Sequence, residues 1–393
     1  MRKFFTKPAF LALLIVASVM VQAQTTNFKS LMQELQSLEK QFVPDKRVAI
    51  FDVRIKDTLK PIVVLSGQTD LPEAKAEVIR LMNSHRMSFI DSLQLLPDAS
   101  LGNETWALVT LSVSNLRAIP DHVSELVSQV LMGTPLKVLE CNEKWCRVQT
   151  PEYYIGWMDT SGFERFSAKE LERWKASNRY FFNSMTGIVF DSPGKKGEIV
   201  SDLVAGNLFE VEEVKGKYLK IRIPDGRTGF VRKSDCIPFE KWINIEPDAS
   251  ATSTLARQMM GFPYLWGGAS GKGADCSGFV KQVFYMQGII LARDASQQAR
   301  YGERINFTNM GNLQTGDLLF FGRDDQHITH VGIYLEKGYF IHASGRVHIS
   351  SLDPGDPKFI PSRKLVAARR VLTSLDSEGI VRVKNHPWYC TQP

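Results

Sequence analysis

A cysteine stands where a loop ends and an amphipathic helix begins, in the stretch Asp275-Cys276-Ser277-Gly278-Phe279. The apolar residues that follow recur at helical spacing and predict a helix from about Cys276 to Gln287. Because the positive end of a helix dipole favours a thiolate, Cys276 is a candidate nucleophile. The alternative is a buried structural cysteine, since cysteine is among the residues most often found in protein interiors.

Two histidines, His330 and His342, lie on short apolar segments that are joined by Glu336-Lys337-Gly338. A three-residue hairpin loop with a left-handed glycine puts His342 opposite Gly332, so the two histidines are diagonal neighbours roughly 7 Å apart on one face. A two-residue loop would put them on opposite faces. In the first register, one imidazole accepts the thiol proton while the second orients the first, as in a catalytic triad.

A metal site is the competing interpretation of the same segment. His327 and His330 have H-x-x-H spacing, and His342 and His348 follow. No His-Glu-x-x-His motif accompanies them, and the cysteine and histidine positions are already explained without a metal. We therefore predict cysteine chemistry with no metal and no cofactor.

Further motifs surround the cysteine in a fixed order. They are Pro263-Tyr264-Leu265-Trp266-Gly267-Gly268 before it, and Gly316-Asp317-Leu318-Leu319-Phe320-Phe321, His330-Val331-Gly332-Ile333-Tyr334 and Ile341-His342-Ala343 after it. Over residues 250–373, this set resembles the NlpC family of cell-wall cysteine peptidases. The resemblance implies a papain-like α+β fold, a triad of Cys276, His330 and His342, and peptidoglycan stem peptides as substrate. More narrowly, the chain resembles γ-D-glutamyl-diamino acid endopeptidases in which bacterial SH3-like barrels precede the catalytic domain.

The resemblance also implies residues that bind the substrate. In the related endopeptidases, a tyrosine and a glutamate of the first barrel hold the free N-terminal amine of the stem peptide, and the matching positions are Tyr154 and Glu125. Asp275, Ser277 and Ser296 would contact the L-Ala-γ-D-Glu part, with Asp275 assisting at the amine. Local physics offers these last three residues a different role, because Asp and Ser before a helix are common N-caps.

Two aromatic residues complete the predicted substrate-binding set. Tyr264 and Trp266 precede a glycine-rich loop at 267–273 that would let the substrate backbone approach the nucleophile. Tyr264 would reach the oxyanion of the transition state beside the backbone N–H of Cys276.

The middle of the chain contains an internal repeat with a shift of 73 residues. The shift aligns Pro120 with Pro193, Glu125 with Glu198, Gly133 with Gly206, Pro151 with Pro224 and Gly156 with Gly229. The short alternating strands and glycine turns predict two copies of one all-β module, which resembles a bacterial SH3-like barrel, at 104–165 and 178–240. Because the glutamate recurs as Glu198, a structural role for Glu125 is the alternative. Tyr154 aligns with Arg227, so the first copy has the more aromatic rim.

The first 23 residues have a basic opening, an apolar run and a small-residue ending, and they predict a signal peptide. The apolar run is too short for a comfortable membrane span. Removing its three basic residues lowers the net charge from +6 to +3, which is too mild to indicate a nucleic-acid partner. We expect export to the periplasm or the outside, with no membrane attachment after cleavage.

The other segments carry less information. Residues 24–103 predict a small α/β unit, 244–253 a polar linker, and 374–393 a C-terminal tail. Five cysteines leave at least one thiol unpaired. Cys141 and Cys146 flank a turn and could form a local disulfide, whereas Cys276 should be free.

These expectations combine into a multidomain α+β protein: a small N-terminal α/β unit, two SH3-like barrels and a papain-like catalytic domain. We predict a secreted cysteine endopeptidase that cleaves the γ-D-glutamyl bond to the diamino acid through an acyl-enzyme, in stem peptides with a free N-terminal L-Ala. The alternatives are a non-catalytic peptidoglycan-binding protein and an NlpC-like amidase or acyltransferase. The sequence defines neither the diamino acid nor the oligomeric state.

Overall fold

The structure is a computed structural model that describes residues 27–391, apart from 59, 61 and 195. The predicted signal peptide lies outside these residues. The chain divides into two compact units, with the boundary between Ala99 and Ser100. Within the described ranges, no helix combines the length and the apolar character needed to span a bilayer.

The first unit is a three-stranded sheet with two helices. Its elements are α1 (27–42), β1 (Phe51–Lys56), β2 (Val63–Thr69), α2 (Pro72–Ser84) and β3 (Phe89–Leu95). β1 pairs antiparallel with β2, and β2 pairs parallel with β3. Because parallel neighbours need a crossover connection, α2 lies between them in the chain. Its core contains Leu31 and Leu65 packed with Val78 and Met82.

The second unit begins with two seven-stranded sheets that are joined by one helix. Their elements are β4 (Trp106–Val109), β5 (Val113–Arg117), β6 (Leu126–Leu131), β7 (Pro135–Cys141), β8 (Trp145–Gln149), β9 (Ile155–Asp159), β10 (Phe163–Phe166), α3 (Ala168–Lys175), β11 (Arg179–Phe182), β12 (Thr186–Phe190), β13 (Ile199–Val204), β14 (Leu208–Lys215), β15 (Tyr218–Arg222), β16 (Thr228–Arg232) and β17 (Cys236–Pro238). We call these sheets barrel 1 (β4 to β10) and barrel 2 (β11 to β17). A capping box of Ser167 and Glu170 fixes the start of α3.

The two barrels confirm the predicted repeat, because they share both the strand order and the position of a register shift. Strand order is the same in both, β10-β4-β7-β8-β9-β5-β6 in the first and its equivalent in the second. The pairing of β5 with β6 shifts between Leu116 and Arg117, and that of β12 with β13 shifts 73 residues later, between Val189 and Phe190. Bulges are inherited features of a module, so the shared positions support one ancestral unit. A disulfide joins Cys141 to Cys146 in barrel 1.

The catalytic region follows with a six-stranded sheet and four helices. Its elements are α4 (Phe239–Ile243), α5 (Ala249–Gln258), β18 (Ala269–Ser270), β19 (Gly273–Ala274), α6 (Cys276–Tyr285), β20 (Ile289–Leu291), α7 (Ala295–Gln298), β21 (Glu303–Arg304), β22 (Leu318–Gly322), β23 (Ile328–Tyr334), β24 (Tyr339–Ser344), β25 (Arg346–Ser351), β26 (Leu365–Arg370) and β27 (Ile380–Arg382). The sheet order is β21-β26-β22-β23-β24-β25, and α6 packs against β23 and β24. Much of the predicted linker is helical, because Asp248 caps α5 and starts it inside 244–253.

The residues 374–391 of the segment predicted as a C-terminal tail pack into the second unit. Its strand β27 pairs with β20, and Tyr389 is buried beside Tyr285 and Trp242 in one apolar cluster. Arg179 of barrel 2 donates a 2.9 Å hydrogen bond to the carbonyl of Tyr389. His386 donates one of 3.0 Å to the carbonyl of Pro151 in barrel 1. The sequence does not reveal this packing because the aromatic residues of the segment have no local periodicity.

Candidate active site

The N-terminus of α6 holds the predicted nucleophile. Asp275 is the N-cap and accepts a 2.7 Å hydrogen bond from the amide of Gly278, which makes Cys276 the first residue of the helix. A Cβ at position 278 would lie 2.0 Å from the carbonyl oxygen of Gly268, so glycine is required for this loop to pack on the first turn. Cys276 is 8% exposed and its thiol is not part of a disulfide.

The histidine pair lies on β23 and β24 in the predicted register. Ile333 pairs with Ile341, and the amide of Leu335 donates to the carbonyl of Tyr339, so the loop has three residues and ends at a left-handed Gly338. Gly332 faces His342, and a Cβ there would lie 3.1 Å from that of the histidine. The absent side chain leaves space for the imidazole.

The two imidazoles are buried and hydrogen-bonded to each other. His330 Nε2 lies 2.6 Å from His342 Nδ1, with ring centroids 4.8 Å apart. Phe321 and Phe340 cover them at centroid distances of 5.9 and 4.9 Å. This hydrogen bond occupies Nε2 of His330, so Nδ1 is the nitrogen of that ring that the pair does not use.

Burial sets the protonation states of this group. Burial and then the charge of Asp275 raise the pKa of the Cys276 thiol to about 11, although the amides of Val331 and Ser277 act in the other direction. Burial and then His342 lower the pKa of His330 to about 2. At this position desolvation acts against the helix dipole, which favours the thiolate. Burial thus favours the neutral thiol and the neutral imidazole.

Arg293 organises the loops around the nucleophile, a role that the sequence analysis missed. It is 1% exposed and donates two hydrogen bonds, of 3.1 and 2.6 Å, to the two carboxylate oxygens of Asp275. Further donors reach Ser277 Oγ at 3.0 Å and Ser128 Oγ of barrel 1 at 3.0 Å. Burial alone would lower the pKa of Arg293, but the charge and hydrogen bonds of Asp275 raise it. The available signal was a charged residue directly after the apolar run 289–292.

The predicted substrate-binding residues Asp275 and Ser277 thus have structural partners. Besides capping α6, Asp275 accepts a 3.0 Å hydrogen bond from the amide of Gly267, and the Ser277 hydroxyl donates to it at 3.1 Å. The N-cap alternative holds for Asp275. The N-cap of α7 is Asp294, not Ser296, which lies half-buried one residue into that helix. Substrate contact by these three residues stays a prediction.

Barrel 1 contacts the loops around the nucleophile and brings two predicted residues to them. Glu125 is exposed and accepts a 2.7 Å hydrogen bond from the indole of Trp266, which is 64% exposed. Tyr154 is 6% exposed, and its hydroxyl donates to Asp294 at 3.2 Å. Glu125 therefore presents a carboxylate at the surface, whereas Tyr154 links the barrel to α7.

Tyr264 lies close enough to the nucleophile to interact with its charge. Burial and then Cys276 raise the pKa of Tyr264 to about 12, so it keeps its proton as a hydrogen-bond donor at neutral pH. That state suits the predicted oxyanion contact, which stays a prediction.

His327, the other histidine of the H-x-x-H pattern, points elsewhere: its Nδ1 lies 2.6 Å from Asp324 at the surface. In the part of the chain that the structure describes, no group of three or more His, Cys, Asp or Glu side chains is arranged to hold a metal ion.

Comparison with known sequences gives two matching family profiles. The NlpC/P60 family profile matches residues 261–362. The profile of the bacterial dipeptidyl-peptidase Sh3 domain matches 116–163, within barrel 1. The two matches together cover Cys276, both histidines and most of barrel 1.

Alignments with similar proteins cover more of the chain than these two profiles. The γ-D-glutamyl-L-lysine dipeptidyl-peptidase of Bacillus subtilis is 30% identical over 226 residues, which are 55% of this chain and 71% of that protein. Dipeptidyl-peptidase 6 of Lysinibacillus sphaericus is 28% identical over 263 residues, 64% of this chain and 94% of that protein. A crystal structure of an NlpC/P60 family protein from Bacillus cereus has a TM-score of 0.58 at 23% identity, over 67% of this chain and 99% of its own, which is a likeness of fold.

Proposed function

The chain belongs to the NlpC/P60 family of cysteine peptidases, and on that premise we propose that it hydrolyses the γ-D-glutamyl-diamino acid bond of peptidoglycan stem peptides with a free N-terminal L-Ala. The observation that carries the proposal is the position of Glu125, whose carboxylate meets Trp266 in the loop that leads to the nucleophile. An exposed acid beside this loop is suited to a substrate ammonium group. The names of the similar dipeptidyl-peptidases support the same bond.

The proposed reaction uses Cys276, His330 and His342. The thiol gives its proton to Nδ1 of His330 as sulfur attacks the γ-carbonyl carbon, and the oxyanion meets the amide of Cys276 and the Tyr264 hydroxyl. The imidazolium then protonates the leaving amine of the diamino acid, the C–N bond breaks and a thioester forms. His330 next takes a proton from water, hydroxide displaces the thiolate, and the thiol regains its proton. His342 holds the His330 ring throughout.

Because burial disfavours both charged forms, we expect proton transfer to accompany the attack of sulfur on the carbonyl carbon. A bound substrate that covers the cleft would exclude water and strengthen the interaction between the developing thiolate and imidazolium. Uncompensated charge would be costly in this buried position, so substrate binding and activation are coupled in this mechanism.

We also propose export, on the basis of residues 1–23, to a compartment where stem peptides occur. Expression of the full chain with an epitope tag, followed by N-terminal sequencing of the exported form, tests this. A mature protein that begins shortly after Ala23 is expected. Retention of Met1 on all of the protein would contradict it.

The test of the activity compares L-Ala-γ-D-Glu-diaminopimelate with its N-acetylated form, using mature protein and the Cys276→Ala variant. We expect release of L-Ala-D-Glu from the free-amine peptide, at least tenfold slower release from the acetylated one, and none with the variant. Mass spectrometry identifies the bond that is cut. Equal cleavage of both peptides would support Cys276 as the nucleophile but contradict the requirement for a free N-terminal amine.

The repeat supplies a matched control for the amine site. Glu125→Gln should raise KM for the free-amine peptide about tenfold, because a charge-assisted contact is typically worth about 1.5–3 kcal/mol. Glu198→Gln changes the same position in barrel 2 and should leave KM within about twofold. If wild type cleaves neither peptide, assays for wall binding without cleavage and for amide or acyl transfer become the relevant ones.

A further inference from the structure

The hydrogen bonds of the histidine pair continue beyond His342. His342 Nε2 lies 2.9 Å from Ser350 Oγ, and Ser350 Oγ lies 3.5 Å from Nδ1 of His348. Ser350 is 2% exposed and His342 is fully buried, while His348 is half-buried. The rings of His342 and His348 are 4.4 Å apart because the two residues are direct partners across β24 and β25.

A neutral imidazole carries one proton, so each of its nitrogens is either a donor or an acceptor. His330 can accept the thiol proton at Nδ1 only if its own proton is on Nε2. That nitrogen then donates to His342 Nδ1, which places the proton of His342 on Nε2. The latter nitrogen needs an acceptor, and Ser350 Oγ is at hydrogen-bond distance.

The reverse direction gives an inactive arrangement. If the Ser350 hydroxyl donated to His342, the proton of that ring would be on Nδ1 and would point at His330. His330 would then carry its proton on Nδ1, the nitrogen that must be unprotonated to accept the thiol proton. This inactive state is disfavoured if the Ser350 hydroxyl donates its proton to a different acceptor. Nδ1 of His348 is in position to be that acceptor.

We propose that Ser350 and His348 are positioning residues that hold His342 and His330 in the tautomers required for general-base catalysis; the proposal rests on the proposed function of Cys276 and His330. Neither residue touches the substrate in this scheme. Ser350 determines the direction of the hydrogen-bond chain, and His348 stabilises that direction by accepting the hydroxyl proton.

The kinetic test uses a matched pair of variants at Ser350. Threonine and valine have nearly the same shape, but only threonine keeps the hydroxyl. We expect Ser350→Thr to retain kcat within about threefold, and Ser350→Val to lower kcat about tenfold or more with KM nearly unchanged, because general-base catalysis contributes roughly 10²- to 10⁴-fold. His348→Leu should give a smaller loss than Ser350→Val in the same direction.

A spectroscopic test does not depend on turnover. In protein labelled with ¹⁵N-histidine, two-bond ¹H–¹⁵N correlation spectra report which ring nitrogen carries the proton. We expect Nε2–H for both His330 and His342 in the wild type, and a shift of His342 towards Nδ1–H in Ser350→Val.

The two tests separate the possible failures. Equal kcat for folded Ser350→Thr and Ser350→Val would overturn the positioning role, as would Nδ1–H on His342 in the wild type. If the wild type cleaves no stem peptide, the proposed function fails, but the ¹⁵N spectra still decide whether Ser350 sets the tautomer of His342.

Discussion

The buried thiol and imidazole have pKa values displaced in opposite directions, and this leads to a test at Cys276. Burial disfavours the thiolate, so its pKa is about 11 and the thiol is protonated below that pH. We expect the rate of Cys276 alkylation by iodoacetamide to keep rising between pH 9 and pH 11. Peptide mass spectrometry separates Cys276 from the free thiols of Cys236 and Cys390.

Urea-unfolded protein is the control, since its thiol should titrate in the ordinary range near pH 8.5. A rate in folded protein that levels off below pH 7 would instead mean a resting thiolate and imidazolium. That outcome would move activation from the substrate complex to the free enzyme.

The buried ion pair of Arg293 with Asp275 gives a prediction on stability. Arg293→Met leaves the Asp275 carboxylate without its cation, and removing one partner of a buried pair costs about 3–5 kcal/mol. Denaturant unfolding measures the change. Arg323→Met is the control, because Arg323 and Asp324 form an exposed pair that is worth at most about 1 kcal/mol. Equal effects of the two variants would show that Arg293 does not hold the nucleophile loop.

At the scale of elements, the loop before α6 touches barrel 1 at Gly267. A Cβ there would lie 2.0 Å from the carbonyl oxygen of Leu126, in a residue with φ of +75°. Gly261 has a similar φ of +83° but no atom within 4 Å of the same position. Gly267→Ala should therefore move the loop away from the barrel, whereas Gly261→Ala bears only backbone strain of about 1 kcal/mol.

We expect Gly267→Ala to lower kcat/KM for the free-amine peptide at least tenfold and to reduce its preference over the acetylated peptide. Gly261→Ala should leave that preference unchanged. Steady-state kinetics with both peptides measures it. Loss of the preference in both variants would indicate general loosening rather than a clash at Leu126.

The elements differ in how far the sequence predicted them. The repeat, the start of α6 and the histidine register follow from local signals such as glycine turns and apolar spacing, and all three are confirmed. The sequence did not predict the roles of Arg293 and Ser350, because these roles depend on which distant groups the fold brings next to them. The burial that raises the pKa of Cys276 was not predicted for the same reason, since a helix dipole is local but desolvation depends on the complete fold.

At the scale of the whole second unit, one apolar cluster joins barrel 1, α3, barrel 2, α6 and the final segment. Leu108, Trp174, Phe181, Tyr285 and Tyr389 represent these five parts in it. A shared core of this kind makes its five parts unfold together, because no part can leave the core without exposing the apolar side chains of the other parts to water. The catalytic region and the barrels should therefore lose structure in one transition.

Tyr389→Ala tests this coupling far from the catalytic residues. Tyr389 is 1% exposed, and truncating a buried aromatic side chain costs about 3–5 kcal/mol. We expect peptidase activity and barrel structure, followed by near-ultraviolet circular dichroism, to be lost at the same lowered temperature. Glu378→Ala, at an exposed position of the same segment, should change stability by less than about 0.5 kcal/mol. If activity is lost well below the melting of the barrels, the final segment stabilises only the catalytic region, and barrel 1 can stay folded beside an unfolded active site.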